Sequence, residues 1–217
     1  GGVEYPGGIS DLTEIIVLNG RLVADDAAGG AVMSSPTITF TAESPDESWY
    51  GIRILGSGAD GESLLRHLLI ENVVQNLYIE NASPTVAYNT ICGARGADGD
   101  DGSNGLDGID GPDATNAVAP VGQDGVAAGP GEDGQIGQAA YGIYIAGANS
   151  APLITHNTIC DIRGGDGGNG GNGGKGGSGG AGYHGTTGDG AAGGLGAMGG
   201  MGGNGGDAGY AVGIYVK

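Results

Sequence analysis

Basic residues, aromatic residues and long apolar runs are all scarce in this sequence of 217 residues. Seven Lys and Arg stand against 25 Asp and Glu, which gives a formal net charge of −18. That balance argues against nucleic-acid binding and against anionic membranes, because both require basic surface patches. One Trp and one Phe are too few for an ordinary globular core along the whole chain. No apolar run approaches the roughly 18 residues of a membrane span, so we expect neither a nucleic-acid partner nor a membrane span.

Proline is also scarce, whereas glycine is abundant. Eight prolines among 53 glycines argue against a collagen triple helix. The glycines are concentrated in two blocks, at about 93–140 and 161–212. The sequence begins Gly1-Gly2 without a Met or a signal peptide, so we expect a processed product or a piece of a longer protein.

An internal repeat organises the remaining sequence. Residues 76–98 match residues 142–166, and residues 213–217 match the start of the same unit. The matched positions are Leu77-Tyr78-Ile79 with Ile143-Tyr144-Ile145, Asn89-Thr90-Ile91-Cys92 with Asn157-Thr158-Ile159-Cys160, and Arg95-Gly96 with Arg163-Gly164. Each unit alternates apolar and polar residues over short stretches, which predicts strands. Such a unit cannot bury its apolar face alone and must stack on its neighbours.

The quoted signals G-I-Y-I, S-x-P-x-I and N-T-I resemble those of the right-handed parallel β-helix repeat family, over roughly residues 14–92, 142–160 and 213–217. The resemblance implies an all-β fold, a right-handed parallel β-helix (a solenoid). An antiparallel β-sandwich is the alternative. A sandwich does not require the same residue at the same position of successive turns, and this sequence repeats its residues in that way.

Equal positions of successive turns lie one above the other in a parallel stack, about 4.8 Å apart. We therefore expect three columns of structural residues: Asn72, Asn89 and Asn157; Tyr78, Tyr144 and Tyr215; and Cys92 with Cys160. The asparagine amides would hydrogen-bond along the stack. The tyrosines could be a sugar-binding platform or an aromatic stack covered by another element. The two cysteines could form a disulfide or remain buried thiols.

The glycine blocks predict two arms inserted at the same corner of successive turns. Glycine recurs at every third residue, which places a bare edge on an extended polyproline-II helix and allows close packing. The pattern resembles polyglycine-II bundles, as in some glycine-rich antifreeze proteins and phage adhesin tips, and the second block resembles mycobacterial PGRS repeats. A disordered linker is the alternative. The expected organisation is residues 1–92 as the N-terminal segment and β-helix turns, 93–141 as the first arm, 142–160 as a turn, 161–212 as the second arm, and 213–217 as the start of the next turn.

Catalytic signatures are absent from the sequence. No pair of carboxylates recurs on neighbouring exposed positions, as a β-helix glycosidase or lyase would need, so we do not expect an enzyme. Two cysteines and three scattered histidines offer no zinc spacing. Glycine- and aspartate-rich loops supply the oxygen ligands that calcium prefers, so calcium is a candidate ligand of the first arm; the alternative is solvated carboxylates that keep the arm soluble. The calcium candidates are Asp98, Asp100, Asp101, Asp107 and Asp110.

The two ends of the repeat array carry apolar strands, with Ile15 and Val17 at one end and Ile214 and Val216 at the other. Uncovered strand edges pair, and unlike ends assemble head-to-tail into filaments. We therefore expect a secreted structural protein at the cell surface, a subunit of an extracellular filament or surface layer, with itself as partner. The alternatives are a glycan-binding adhesin or phage-fibre module and, third, a β-helix carbohydrate-active enzyme. An excised part of a longer β-helix would explain the open ends equally.

Overall fold

The structure is a computed structural model that describes residues 13–25, 38–43, 48–56, 63–115, 121–184 and 190–217. These residues contain strands and no helix. In chain order the strands are β1 (Glu14–Leu18), β2 (Val23–Asp25), β3 (Ile38–Phe40), β4 (Gly51–Leu55), β5 (Leu64–Arg66), β6 (Leu68–Ile70), β7 (Leu77–Glu80), β8 (Thr85–Ala87), β9 (Thr90–Cys92), β10 (Ala140–Ala146), β11 (Leu153–Thr155), β12 (Thr158–Cys160), β13 (Tyr183–His184), β14 (Gly190–Ala191) and β15 (Ala211–Val216).

Three parallel sheets contain all the strands except β13 and β14. Sheet A has the order β1-β4-β7-β10-β15, sheet B the order β2-β5-β8-β11, and sheet C the order β3-β6-β9-β12. Consecutive strands of the chain therefore fall in different sheets, and every third strand returns to the same sheet. One strand from each sheet makes one turn of chain, here called a coil. The pairing within sheets A, B and C is parallel throughout, which rules out an antiparallel sandwich for these strands and fits a β-helix-like fold.

The core lies between the three sheets and is formed by residues that repeat from coil to coil. On sheet A, Ile52, Leu77 and Ile143 are paired in register and are fully buried. The alternation expected for short strands holds on β10, where Ile143 and Ile145 are buried and Tyr144 between them is partly exposed. Branched side chains favour such stacks because they pack well on a pleated surface.

The chain divides into two compact units. The first comprises Gly1–Ala97, Gln138–Gly165 and Gly209–Lys217 and contains the three sheets. The second comprises Asp98–Gly137 and Asp166–Ala208. The second unit contains four glycine-rich passes: the first at 98–115, the second at 121–137, the third at 166–182 and the fourth at 193–208. None of the four passes contains a strand.

Backbone hydrogen bonds join the four passes at every third residue. The first and third passes are joined by bonds such as Gly99 N–H to the Asp166 carbonyl, 2.7 Å, repeated three residues further on. The second pass donates to the first and to the fourth, the third donates to the second, and the fourth donates to the third. Each pass thus supplies backbone partners to others, as an extended chain without internal hydrogen bonds requires.

Glycine is required where these passes approach each other. A Cβ atom on Gly171 would lie 2.0 Å from the Ser103 carbonyl oxygen, and one on Gly170 would lie 2.1 Å from that of Gly203. Both neighbours are backbone atoms and cannot move aside. Two consecutive glycines in each triplet of the third pass therefore allow contact on two sides of that pass.

Candidate functional site

A column of aromatic side chains runs along the outer surface of sheet A. Tyr78, Tyr144 and Tyr215 occupy one position in β7, β10 and β15. The ring centroids are 5.2 Å apart between Tyr78 and Tyr144, and 5.1 Å apart between Tyr144 and Tyr215. Arg53, at the same position of β4, lies over the Tyr78 ring with its guanidinium carbon 5.7 Å from the centroid. The three tyrosines that the repeat predicted to share a column are therefore adjacent in the structure.

A groove of about 650 Å³ lies beside this column, within the first unit. Its lining mixes tyrosines with hydrogen-bonding side chains from successive coils: Tyr50, Gln75, Tyr78, Glu80, Gln138, Tyr141, Tyr144 and Lys217, with small or aliphatic residues between them. The Tyr78 hydroxyl donates to Glu80 Oε2 at 3.0 Å. Among the described residues that line the groove, Glu80 is the one Asp or Glu side chain.

The stacking of the tyrosines restricts how a ligand could use them. Tyr78 is covered on one face by Arg53 and on the other by Tyr144, whose plane is inclined by 13°. Tyr144 is in turn covered by Tyr215. A sugar ring that stacks on an aromatic side chain needs an uncovered ring face. Because these ring faces are covered, a ligand in the groove would meet the edges and hydroxyl groups of the stacked tyrosines. Tyr141 differs, because it meets Tyr144 edge to face, with the two planes at 83°.

Burial raises the pKa of Tyr144 above its usual 10.0, and the negative charges of Tyr215 and Glu80 raise it further. Burial also raises the pKa of Tyr141, with smaller contributions from Tyr144 and Tyr215. In both residues the neutral phenol is the favoured form in the folded state.

The raised pKa values of Tyr141 and Tyr144 predict a loss of stability at alkaline pH. Below the unfolded-state value of 10.0 both phenols are neutral in either state, and their contribution is fully present. Above it the unfolded chain ionises first, so stability falls as the pH rises through the folded-state values. Phenolate absorbance of the folded protein should show the Tyr141 and Tyr144 phenols ionising above pH 10.0, and Tyr144→Phe should remove one of these transitions. An unchanged titration curve in Tyr144→Phe would contradict the expectation.

Two of the three predicted asparagines form a column between sheets B and C. Asn157 Oδ1 accepts hydrogen bonds from the Asn89 backbone N–H at 2.9 Å and from Asn89 Nδ2 at 3.0 Å. Asn89 Oδ1 accepts from the Leu68 N–H, and Asn89 Nδ2 donates to the Leu65 carbonyl. The side chains thus bond to the backbone of the coil below and to each other.

Asn72 lies outside this column. Leu69 and Ile70 of β6 pair with Thr90 and Ile91 of β9. Asn72 therefore lies after β6, whereas Asn89 lies immediately before β9. Asn72 Nδ2 instead donates to Thr41 Oγ1 at 3.1 Å. The spacing of 17 residues between Asn72 and Asn89 predicted that they share a column. In the structure the two residues lie at different corners of the coil. The predicted column therefore holds two asparagines rather than three.

Two buried asparagines should differ in how much stability is lost when the amide is removed. Asn89→Ala leaves a buried N–H and a buried carbonyl without partners and should cost about 3 kcal/mol of unfolding free energy. Asn76 is also fully buried, yet neither its Nδ2 nor its Oδ1 has a hydrogen-bond partner among the described residues. Asn76→Ala should therefore stay within about 1 kcal/mol of the unmodified protein. Urea unfolding of both variants measures the difference, and equal losses would contradict this account.

The two cysteines form a disulfide. Cys92 and Cys160 are paired in register on β9 and β12, with their Cα atoms 4.6 Å apart. The sequence left a disulfide and two free thiols open, and the structure has the disulfide. The bond joins residues 68 apart in sequence and connects equal positions of two successive coils.

The aspartates considered as calcium ligands serve the packing of the second unit. Asp98, Asp101, Asp107 and Asp110 each accept a hydrogen bond through Oδ1 from the backbone N–H of the residue 68 positions later, at 2.6–2.8 Å. Asn104 and Asp113 do the same. Asp100 lies on a different edge of the first pass. Within the described ranges, no three His, Cys, Asp or Glu side chains are grouped as metal ligands would be.

This series of aspartate and asparagine residues was missed in the sequence, although its signal is visible. Asp or Asn recurs at every third residue of the first pass from Asp98 to Asp113, before a glycine in the first five cases and before Ala114 in the sixth. A side chain at every third position lies on one edge of a threefold helix. Solubility alone does not require such regular spacing. The series therefore indicates a hydrogen-bonding partner along the whole of that edge of the first pass.

The apolar end residues lie on the two edge strands of sheet A. On β15, Ile214 and Val216 are 46% and 69% exposed, whereas Ile143 and Ile145 at the same positions of β10 are 0% and 7% exposed. On β1, Ile15 and Val17 are partly buried and pair with Ile52 and Ile54. In the described part of the chain, no strand covers the outer edge of β15.

Comparisons with known proteins identify no relative. No family model, no curated protein and no solved structure matches the chain. In the described part of the chain, no helix has the length and apolar character needed to cross a membrane.

Proposed function

We propose that the protein is an extracellular structural protein whose coils stack head-to-tail, copy on copy, into a filament. The observation that carries the proposal is the continuous parallel register of sheet A from β1 to β15, in which, among the described residues, each of these two strands pairs with a neighbouring strand on one side only. A parallel stack has unlike edges, so the β15 edge of one copy complements the β1 edge of the next. Copies added in this way repeat the same contact without closure.

The proposed contact has a definite register. Continuing the internal pairing places Gly213 beside Glu14, Ile214 beside Ile15, and Val216 beside Val17 of the next copy, since these positions already share columns through β4, β7 and β10. Sheets B and C end at β11 and β12, one coil earlier than sheet A.

The proposal also includes the hand of the solenoid and the conformation of the glycine-rich segments. We take the solenoid to be right-handed and the glycine-rich segments to be two arms, each of two polyproline-II passes packed as in polyglycine II. The three-residue hydrogen-bond period between passes supports this. Circular dichroism should then show a polyproline-II signal beside the β signal, and a pure β spectrum would contradict it.

Electron microscopy of the purified chain tests the filament. Unbranched fibres are expected, because each added copy buries Ile214 and Val216. Val216→Asp should abolish them, since it places a charge where the next copy packs. Val121→Asp is the matched control, because Val121 is also exposed but lies in the second unit, and it should leave fibres intact. Monomers at high concentration, or fibres that tolerate Val216→Asp, would contradict the proposal.

Saccharide binding in the groove beside the tyrosine column is a second candidate function. The mixture of Gln75, Gln138, Glu80 and Lys217 with tyrosine edges supports it, because sugars combine hydroxyl groups with apolar C–H faces. Tyr141 is the residue best placed to contact a sugar. A glycan array followed by Tyr141→Ala should show binding and its loss, whereas Tyr88→Ala, at another corner of the coil, should leave binding unchanged.

A further inference from the structure

Three tyrosines form a cluster on sheet A in which each ring contacts the other two. Tyr141 and Tyr144 belong to β10, and Tyr215 belongs to β15. The ring centroids are 5.0 Å apart for Tyr141 and Tyr144, 5.1 Å apart for Tyr144 and Tyr215, and 5.3 Å apart for Tyr141 and Tyr215. This group, here called the tyrosine cluster, therefore joins two neighbouring strands through side chains as well as through the backbone.

The hydroxyl groups of the tyrosine cluster do not serve the packing of the protein. The Tyr78 hydroxyl donates to Glu80, whereas the hydroxyls of the cluster make no hydrogen bond within the described residues. Phenylalanine would fill the same positions in a stack of rings. What the hydroxyl adds to each ring is contact with water and the ability to lose an electron together with a proton. The cluster thus places three oxidisable phenols in mutual contact.

An oxidant in solution can reach the tyrosine cluster. Tyr141 and Tyr144 line the groove of about 650 Å³, and Tyr215 is 37% exposed. The chain also contains the Cys92–Cys160 disulfide, a kind of bond that forms and persists in oxidising compartments. The phenols therefore share the surroundings in which the cysteines are oxidised.

Ring orientation favours one pair of the cluster. Oxidative coupling of two phenols joins carbon atoms ortho to the hydroxyl groups, so two ring edges must meet. Tyr144 is stacked between Tyr78 and Tyr215 and presents ring faces to them, with planes inclined by 13° and 36°. Tyr141 lies beside that stack, with its plane inclined by 48° to that of Tyr215. Tyr141 and Tyr215 are therefore the pair whose edges meet after a small rotation of either ring.

We propose that Tyr141 and Tyr215 are a site of oxidative cross-linking, at which hydrogen peroxide and a haem peroxidase couple them into dityrosine. Each phenol gives up one electron and one proton, and the two phenoxyl radicals form a carbon–carbon bond between their ortho positions. The hydrogen atom on each of these carbons then moves to the phenol oxygen, which restores both aromatic rings. The peroxide takes up the two electrons and the two protons and leaves as two molecules of water.

The cross-link resembles the disulfide in what it connects. The Cys92–Cys160 bond joins β9 to β12 and encloses the first glycine-rich segment. A Tyr141–Tyr215 bond joins β10 to β15 and encloses the second, at 161–212. Among the described residues β15 pairs with β10 alone. The cross-link would therefore hold in place a strand that is otherwise attached on one side only.

The proposed cross-link is independent of head-to-tail stacking. In the register proposed for the filament, Tyr215 lies beside Ile16 of the next copy. An isoleucine side chain does not couple in this way, so the expected bond stays within one chain whether or not filaments form.

Treatment of the dilute unmodified chain with a haem peroxidase and hydrogen peroxide tests the proposal. Dityrosine fluorescence should appear in the monomer band of a denaturing gel, with a mass lower by two hydrogen atoms, and peptide mapping should link Tyr141 to Tyr215. Tyr141→Phe and Tyr215→Phe should each abolish this link, whereas Tyr144→Phe should retain it. Tyr183→Phe is the matched control, because Tyr183 is 38% exposed, as Tyr215 is, but lies in the second unit.

The result that supports the site is a link that needs both phenols and the fold. Hydrogen exchange verifies that each Phe variant keeps the three sheets protected. A monomer band without dityrosine, a link that persists in Tyr215→Phe, or an equal yield from the urea-unfolded chain would each overturn the proposal. If the link appears but the unmodified chain forms no fibres, the filament is contradicted and this site stands.

Discussion

Gly171→Ala should unfold the second unit, whereas Gly196→Ala should leave it intact. A Cβ on Gly171 would lie 2.0 Å from the Ser103 carbonyl oxygen, so the third and first passes must separate. The nearest atoms to a Cβ on Gly196 are 3.8 Å and 3.9 Å away, so alanine fits there. Gly171→Ala should therefore lower the free energy of unfolding by at least about 3 kcal/mol. Gly196→Ala should raise it by a few tenths of a kcal/mol, because alanine restricts the unfolded chain.

Hydrogen exchange of residues 98–115 and 166–182 measures this difference. Protection should be lost in Gly171→Ala and retained in Gly196→Ala, while the three sheets of the first unit stay protected in both. Equal protection in the two variants would show that the passes are not held by the close contacts described above. Rapid exchange in the unmodified chain would show that they are not ordered at all.

Removal of the disulfide is expected to produce the second large effect. Cys92 and Cys160 enclose a loop that contains the whole first glycine-rich segment, with a sequence separation of 68. Closing a loop of that length restricts the unfolded chain by about 4 kcal/mol in the chain-entropy description. Cys92→Ala with Cys160→Ala should lower the unfolding free energy by roughly that amount.

Urea unfolding compares the double variant with the oxidised protein. A reduced sample of the unmodified chain is the matched control, because it loses the bond without changing the side-chain volumes. The two should agree closely. If reduction or substitution changes the unfolding free energy by less than about 1 kcal/mol, the bond is not a stabilising link between these coils.

The coil architecture could be predicted from residues that recur at equal positions. Ile143, Tyr144 and Ile145 align with the same positions of β7 and β15, and the tyrosine column follows from that repeat. Asn89 and Asn157 were found in the same way. The upstream copies are more divergent, and there the register failed: Asn72 was placed with Asn89, although it pairs at a different corner. A spacing alone does not distinguish the corners of a coil when strands are three residues long.

Details that depend on partners distant in sequence were not predictable. The role of Asp101 is visible only once the third pass brings the Asn169 backbone N–H beside it. The coverage of the Tyr78 ring by Arg53 and Tyr144 likewise depends on side-chain orientation, which a column of aligned residues does not define.

Disulfide trapping between copies tests the central claim, that β15 of one chain pairs with β1 of the next. In the proposed register Tyr215 lies beside Ile16 of the neighbour, as Tyr144 lies beside Tyr215 within the chain. The native Cys92–Cys160 bond joins equal positions of adjacent parallel strands in the same manner. Ile16→Cys with Tyr215→Cys should therefore give a ladder of linked multimers on oxidation. Each single variant should give none beyond a dimer, and a double variant that stays monomeric or dimeric would contradict head-to-tail assembly.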